Sequence, residues 1–340
     1  MNAATNTIPK AFIWRRVHSL MGLWLVVFLI EHLLTNSQAA LWLGDNGRGF
    51  VNMVNALHNL PYLEVIEVGL LGIPLLIHMF WGVQYLLTGK INTGKSDGTT
   101  PHLPLRRNRA YSLQRITSWI LLIGIICHVA KFRFLDYPTK VVAGEEVCYF
   151  IPISMDDGLY TLSKRLDVTL YDAASIAKEK MDFELRSSES VLVGAANQIT
   201  EEKTDLWSGP LPQAYSAQKE RVLGGAQKYQ NQEIFVHALD RVKLSKGNVL
   251  ACAKDFGTAT LLAVRNTFKS PIYMGLYTIF VLAACFHACN GFWTFLLTWG
   301  WVLKMSAQRA WTTVVAVMMV GLVFLGLAAI WGTYWINLRY

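Results

Sequence analysis

Five long apolar segments constrain this chain more than any other feature. They run over about 15–43, 63–89, 113–135, 271–300 and 309–336, and each is apolar around its whole circumference. Roughly 20 apolar residues in a helix are enough to cross the hydrocarbon of a bilayer. Backbone N–H and C=O groups find no water there, so the sequence predicts a bundle of spanning helices. The chain is 53% hydrophobic, and its mean hydropathy of +0.32 suits a membrane protein better than a soluble domain. Lys10, Arg15 and Arg16 precede the first segment. That segment is too long for a cleaved signal and lacks a small-residue cleavage site, so it reads as a span.

Charge placement predicts direction. The connection 90–112 carries Lys90, Lys95, Arg106, Arg107 and Arg109 against Asp97, and Lys304 and Arg309 lie between the last two segments. The loop 44–62 has only Arg48 and Asp45. Cations collect on cytoplasmic loops, which puts the N-terminus and both basic connections inside and, after five crossings, the C-terminus outside. Trp331, Tyr334, Trp335 and Tyr340 then form an outer interfacial belt. The net charge of +8 is therefore a matter of topology and lipid contact. No nucleic-acid partner is expected. The location expected is the cell inner (cytoplasmic) membrane.

Residues 136–270 contain no span. They hold 16 Lys+Arg and 18 Asp+Glu, and a long region of this kind crosses irrespective of charge, so it is expected outside. Residues 147–154 read as a strand, 172–180 as a helix and 249–266 as either. The predicted fold is all-α transmembrane: a five-helix bundle from 1–135 and 271–340, with a small extramembrane α+β insertion over 136–270 between helices three and four. The insertion shows no phosphate loop, ligand cluster or nucleophile elbow, and His237 reads as a surface residue. Cys148 and Cys252 are placed for a disulfide if the region is extracytoplasmic, and the sequence leaves their pairing open.

Four of the spans each carry one central histidine: His32, His78, His128 and His287. A single such residue is explained by an interhelical hydrogen bond. Four of them fall into two depth classes. With a rise of 1.5 Å per residue, His32 and His128 lie on the order of 10–17 Å from the outer face, and His78 and His287 on the order of 21–26 Å. Haem iron accepts two imidazoles on opposite faces, from two helices at one height. The expectation is two haems, one between His32 and His128 and one between His78 and His287. The five cysteines form no C-x-x-C-H, so the haems would be non-covalent, of b type.

Gly82 and Gly291 follow His78 and His287 by four residues, and Gly124 precedes His128 by four. Glycine on a ligand's own helix face lets a flat macrocycle approach, although helix packing uses small residues in the same way. Lys131 and Arg133 suit the propionates of the outer haem, and Arg15, Arg16 and Arg115 line the inner entrance; lipid headgroups would hold the same cations. His18, at the inner end of span one, and His58, before span two, lie within reach of a propionate or a quinone headgroup, and interfacial hydrogen bonding is the other reading. His102, in the basic loop, reads as solvated.

The motifs resemble a known family. They are H18-S-L-M-G22, E31-H32-L-L, H58-N-L-P61, P74-L-L-I-H78-M-F-W-G82, N92-T-G94, Q114-R115, C127-H128-V and F286-H287-A-C-N-G-F-W293-T-F-L-L-T-W-G300. The chain resembles the single-subunit, five-helix, dihaem cytochrome b anchor of succinate:quinone oxidoreductases (succinate dehydrogenase and fumarate reductase), over 1–135 and 271–340. The resemblance implies a proximal haem on His78 and His287 and a distal haem on His32 and His128. It implies partner flavoprotein and iron–sulfur subunits, with flavin and succinate sites on those chains, and a quinone substrate, menaquinone being the expected one. Quinone reduction takes up protons, so a carboxylate near the distal haem is expected; Glu67 and Glu64 are the candidates, with interfacial solvation as their other reading. The 136–270 insertion departs from the short connection of the family, and Cys285 stands where some members carry a glutamate. The alternatives are the cytochrome anchor of another quinone-linked enzyme, such as a hydrogenase or formate dehydrogenase, and a haem-free anchor or transporter. The sequence shows none of the inverted repeats or broken helices of transporters.

Overall fold

The computed structural model describes residues 8–89, 105–186 and 213–340. Five of its helices are long and apolar enough to cross a membrane, as expected of a multi-pass membrane protein: α1 (Lys10–Leu41), α3 (Leu63–Thr88), α4 (Arg106–Leu135), α9 (Pro271–Thr298) and α10 (Met305–Asn337). Three of them begin four to seven residues before their apolar segments do. In α4 the extra turns, Arg106–Ser112, are polar, and hydropathy marks only the apolar part. A short helix, α2 (Arg48–His58), was not expected in the loop 44–62. The Asp45 carboxylate starts it by accepting from the N–H groups of Gly47 (2.7 Å) and Gly49 (3.2 Å).

The chain divides into two compact units, one of residues 1–135 and 264–339 and the other of 136–263 with Tyr340. In the helical unit successive spans alternate in direction. Arg115, near the start of α4, donates to the carbonyls of Tyr85 (2.9 Å) and Gly89 (2.7 Å) at the end of α3. Arg16, in α1, donates to Thr298 O at the end of α9. These cations sit on the partial negative charge of helix C-termini. They define a basic end of the bundle. At the opposite end Asn337, in α10, donates to Ala39 O in α1 (2.9 Å). Close packing comes from small residues: a Cβ on Gly332 would lie 2.6 Å from Ala40 Cβ, and one on Gly326 would lie 2.4 Å from Val281 Cγ1. Leu76, Phe80, Ile123, Val317, Val320 and Phe324 are exposed on the outside of the helices, as lipid-facing side chains are.

Three spans carry a π-helical stretch, and all three stretches lie at the opposite end: Glu67–Gly72 opening α3, Ala130–Leu135 closing α4 and Ala328–Asn337 closing α10. In α3 the cause is visible. Pro74 has no N–H to return to Leu70 O, and the Trp24 indole N–H of α1 donates to that carbonyl instead. At the end of α10, Arg265 is 1% exposed and donates from Nε to Leu338 O (2.6 Å) and from Nη2 to Arg339 O (3.2 Å), with its guanidinium 5.0 Å from the Tyr334 ring. Replacing it leaves buried carbonyls bare. Arg265→Leu is expected to cost about 2–4 kcal/mol, read as a fall in thermal unfolding temperature in detergent, with Arg265→Lys losing less.

The second unit is built on an antiparallel sheet of order β1-β2-β4-β3, from β1 (Thr139–Ala143), β2 (Glu146–Ser154), β3 (Thr169–Tyr171) and β4 (Asn248–Ala253). Its helices are α5 (Leu159–Arg165), α6 (173–186), α7 (Gln213–Arg241) and the start of α8 (Phe256–Phe268). Asp172 caps α6: its carboxylate accepts from the Ser175 hydroxyl (2.6 Å) and from the Ser175 N–H (2.7 Å), and these two bonds hold the carboxyl below its usual pKa, while the Asp172 N–H donates to Ser175 Oγ (2.8 Å). Both faces of β2 are buried. Phe150 and Cys148 pack with Leu239 and Leu250 on one side, and Tyr149, Ile151 and Ile153 are buried on the other. Cys148 and Cys252 form a disulfide with Cα atoms 5.8 Å apart, across the β2–β4 pair. The division at Ala263 falls within Phe256–Phe268, before the sequence boundary at 270.

Candidate functional site

The helical unit brings the four central histidines together as two couples. His32 on α1 and His128 on α4 have ring centroids 5.8 Å apart with planes crossing at 90°. His78 on α3 and His287 on α9 have centroids 6.2 Å apart with planes crossing at 83°. The second couple lies nearer the basic end, since His78 is ten residues from the end of α3 and His32 nine from the far end of α1. A metal bound by two imidazoles from opposite sides, each nitrogen at about 2 Å, sets the ring centroids about 6 Å apart.

Hydrogen bonds settle which nitrogen is bare. His78 Nδ1 lies 3.2 Å from His18 O, a carbonyl that only accepts, so Nδ1 carries the proton. His287 Nδ1 lies 3.4 Å from both Thr117 Oγ1 and Ser118 Oγ. Each hydroxyl gives its single proton to a backbone carbonyl, Thr117 to Leu113 O (2.8 Å) and Ser118 to Gln114 O (2.7 Å), and so accepts from Nδ1. Both rings therefore present an unprotonated Nε2, the form that ligates a metal, with the second-sphere support such ligands use. His128 Nδ1 meets Tyr277 OH at 3.2 Å.

Other polar groups gather at the His78/His287 couple. The His18 ring stacks on His78 with centroids 4.1 Å apart, and its buried Nδ1 has no hydrogen-bond partner among the described residues. Gln114 Nε2 donates to His287 O (3.1 Å), and Asn290 Nδ2 donates to Gln114 Oε1 (2.9 Å). Polar side chains inside an apolar bundle are costly and point to function. Among the described residues no group of three or more His, Cys, Asp or Glu could cage a bare metal ion. The couples fit a metal whose remaining ligands arrive with it, as the four pyrrole nitrogens of haem do.

The glycines have protein neighbours. A Cβ on Gly82 would lie 3.8 Å from His18 Cε1, one on Gly291 3.7 Å from Gln114 Nε2, and one on Gly124 2.4 Å from the Phe280 ring. Gly22, which closes the H18-S-L-M-G22 motif, makes the tightest approach to a central histidine: a Cβ there would lie 2.9 Å from His78 Cε1. Its signal was its place four residues after His18. Thr117, Ser118, Gln114 and Asn290 were legible as polar residues sharing helix faces inside spans.

Arg133 donates to Glu67 Oε2 at 3.1 Å, both side chains half-exposed, which joins the π-helical stretches of α3 and α4. Lys131 Nζ lies 4.6 Å from the Tyr273 ring centroid. Glu64 lies exposed in the first turn of α3. Glu31 accepts from Thr35 Oγ1 (2.7 Å) within its own helix. Arg115 and Arg16 cap helix C-termini as described above. His102 lies outside the described residues, as do Lys90, Lys95 and Asp97. His237 pairs with Glu233 at 3.8 Å on the surface of the second unit.

The succinate dehydrogenase cytochrome b558 subunit of Bacillus subtilis (strain 168) is 33% identical to this chain over 125 residues, 36% of this chain and 56% of the relative. The chain thus spans little more than half the length of the curated relative it matches. No protein-family model matches the sequence, and no solved structure matches the chain.

Proposed function

We propose that this chain is the dihaem cytochrome b anchor of a succinate:quinone oxidoreductase. It would carry electrons between an iron–sulfur partner subunit, itself joined to a flavoprotein subunit, and a membrane quinone, for which menaquinone is the expected form. The observation that carries this reading is the placement of four membrane imidazoles as two couples 5.8 and 6.2 Å apart. The name of the bacterial relative supports the choice of complex. Bound haem would supply one-electron chemistry at each couple. The chain's own part is to hold the rings. His18 O, Thr117 and Ser118 fix the tautomers of His78 and His287, and Tyr277 meets His128.

The proximal haem is assigned to His78 and His287 and the distal haem to His32 and His128. Lys131 and Arg133 are assigned to the distal propionates. Gly82, Gly124 and Gly291 are assigned to the macrocycle edges, where Phe280 and the other neighbours would have to turn aside. Glu67, with Glu64, is the proposed quinone-site carboxylate, Glu67 standing in an ion pair with Arg133. The proposed topology is N-terminus and residues 105–109 in the cytoplasm, with the C-terminus and the 136–270 insertion outside. The disulfide supports that side, because disulfides persist in oxidising compartments.

Purified protein is expected to show a b-type α band in a reduced-minus-oxidised spectrum and to co-purify with flavoprotein and iron–sulfur chains. Absence of the band would sink the cytochrome reading; a band with different partner chains would move it to another oxidoreductase. Near-perpendicular imidazole planes also predict a strongly anisotropic low-spin ferric EPR signal from each haem, and ordinary rhombic signals would contradict the geometry. Gly22→Ala, which drives a methyl onto His78 Cε1, is expected to lower occupancy of the proximal haem alone, read as haem content.

A further inference from the structure

We propose that Tyr277 is a positioning residue for His128, setting its strength as a ligand and thereby the potential of the distal haem; this rests on the dihaem reading above. Tyr277 stands on α9, two to three turns before His287, yet its hydroxyl meets the ligand of the other couple, 3.2 Å from His128 Nδ1. The phenol is held in place by rings. Phe268 lies edge-on at 5.3 Å, Phe132 at 6.3 Å and the imidazole itself at 5.8 Å.

The two couples are supported by different acceptors. At the proximal couple, His78 faces a peptide carbonyl and His287 faces two hydroxyls whose protons are already committed. At the distal couple, His128 faces this phenol, a weaker acceptor than a peptide carbonyl. A ligated imidazole carries its proton on Nδ1 and must donate it, so the phenol oxygen accepts. The stronger the acceptor, the more electron-rich the ring and the better it stabilises ferric iron. Removing the oxygen should make the distal haem easier to reduce, and a better acceptor should make it harder.

Redox titration and EPR of the purified, haem-loaded protein test this without reference to turnover. In Tyr277→Phe the reduced-to-oxidised ratio of one haem at a fixed ambient potential is expected to rise about threefold, or about 30 mV for one electron, with a change in one EPR signal only. Tyr277→Gln, which restores a carbonyl oxygen, is expected to shift the same haem in the other direction. Combined Thr117→Val and Ser118→Ala should move the other haem. If Tyr277→Phe fails to accumulate, the direction of the Tyr277→Gln shift decides. Unchanged potentials and signals, or equal shifts of both haems, overturn the role of Tyr277. A wild-type preparation without b-type haem overturns the functional reading itself.

Discussion

His78→Leu is expected to abolish the low-spin signature of one haem completely and leave the other, and His287→Leu is expected to affect the same one. His32→Leu and His128→Leu should remove the second in the same selective way. Leucine is close to an imidazole in size, cannot ligate and adds no polar group to an apolar bundle. The rings of each couple come from two different helices, 78 with 287 and 32 with 128, so loss of either partner removes half the axial set. Haem content per chain and the EPR of the oxidised protein report the outcome. Selective loss in a different pairing, for example His78 with His32, would contradict the arrangement. Retention of both haems in all four variants would show that these residues are not ligands.

Removing the Cys148–Cys252 disulfide is the second change with a large expected effect. The bond spans 104 residues of sequence. Closing a loop of that length stabilises a fold by about 4–5 kcal/mol in the chain-entropy picture, and losing a native disulfide from a small domain costs about 2–5 kcal/mol. Cys148→Ser with Cys252→Ser should therefore make the β-sheet unit protease-sensitive while the b-type spectrum, which depends on the helical unit, stays. The same cysteines report topology. In intact cells they should resist a thiol label until treated with a membrane-impermeant reductant, and then react from outside. Labelling from the cytoplasmic side alone, without reductant, would overturn the proposed orientation.

The spans were legible because bilayer physics writes itself into composition: long apolar runs have few other uses. The polar first turns of α4 were not, which is why Arg106–Ser112 fell outside its apolar segment. The histidine couples were legible because alternating direction and a fixed rise convert residue number into depth. His32 and His128, and His78 and His287, are the pairs that depth selects, and the structure brings those rings together. Pairing across long separations was not legible. Arg133 meets Glu67, 66 positions away, and Tyr277 meets His128, 149 positions away. No local pattern encodes which face of one helix meets which face of another. The π-helical stretches were hidden for a similar reason, although Pro74 marked the place where α3 would lack a backbone donor. In the second unit, β2 stood out through its β-branched and aromatic run, whereas α7, with little apolar periodicity, did not.

Haem b per polypeptide, measured as the pyridine haemochrome of the purified protein against the amount of this chain, tests the central claim most directly. Two imidazole couples predict two haems b per chain. One haem would contradict the double arrangement, and none would contradict any role for these couples in electron transfer.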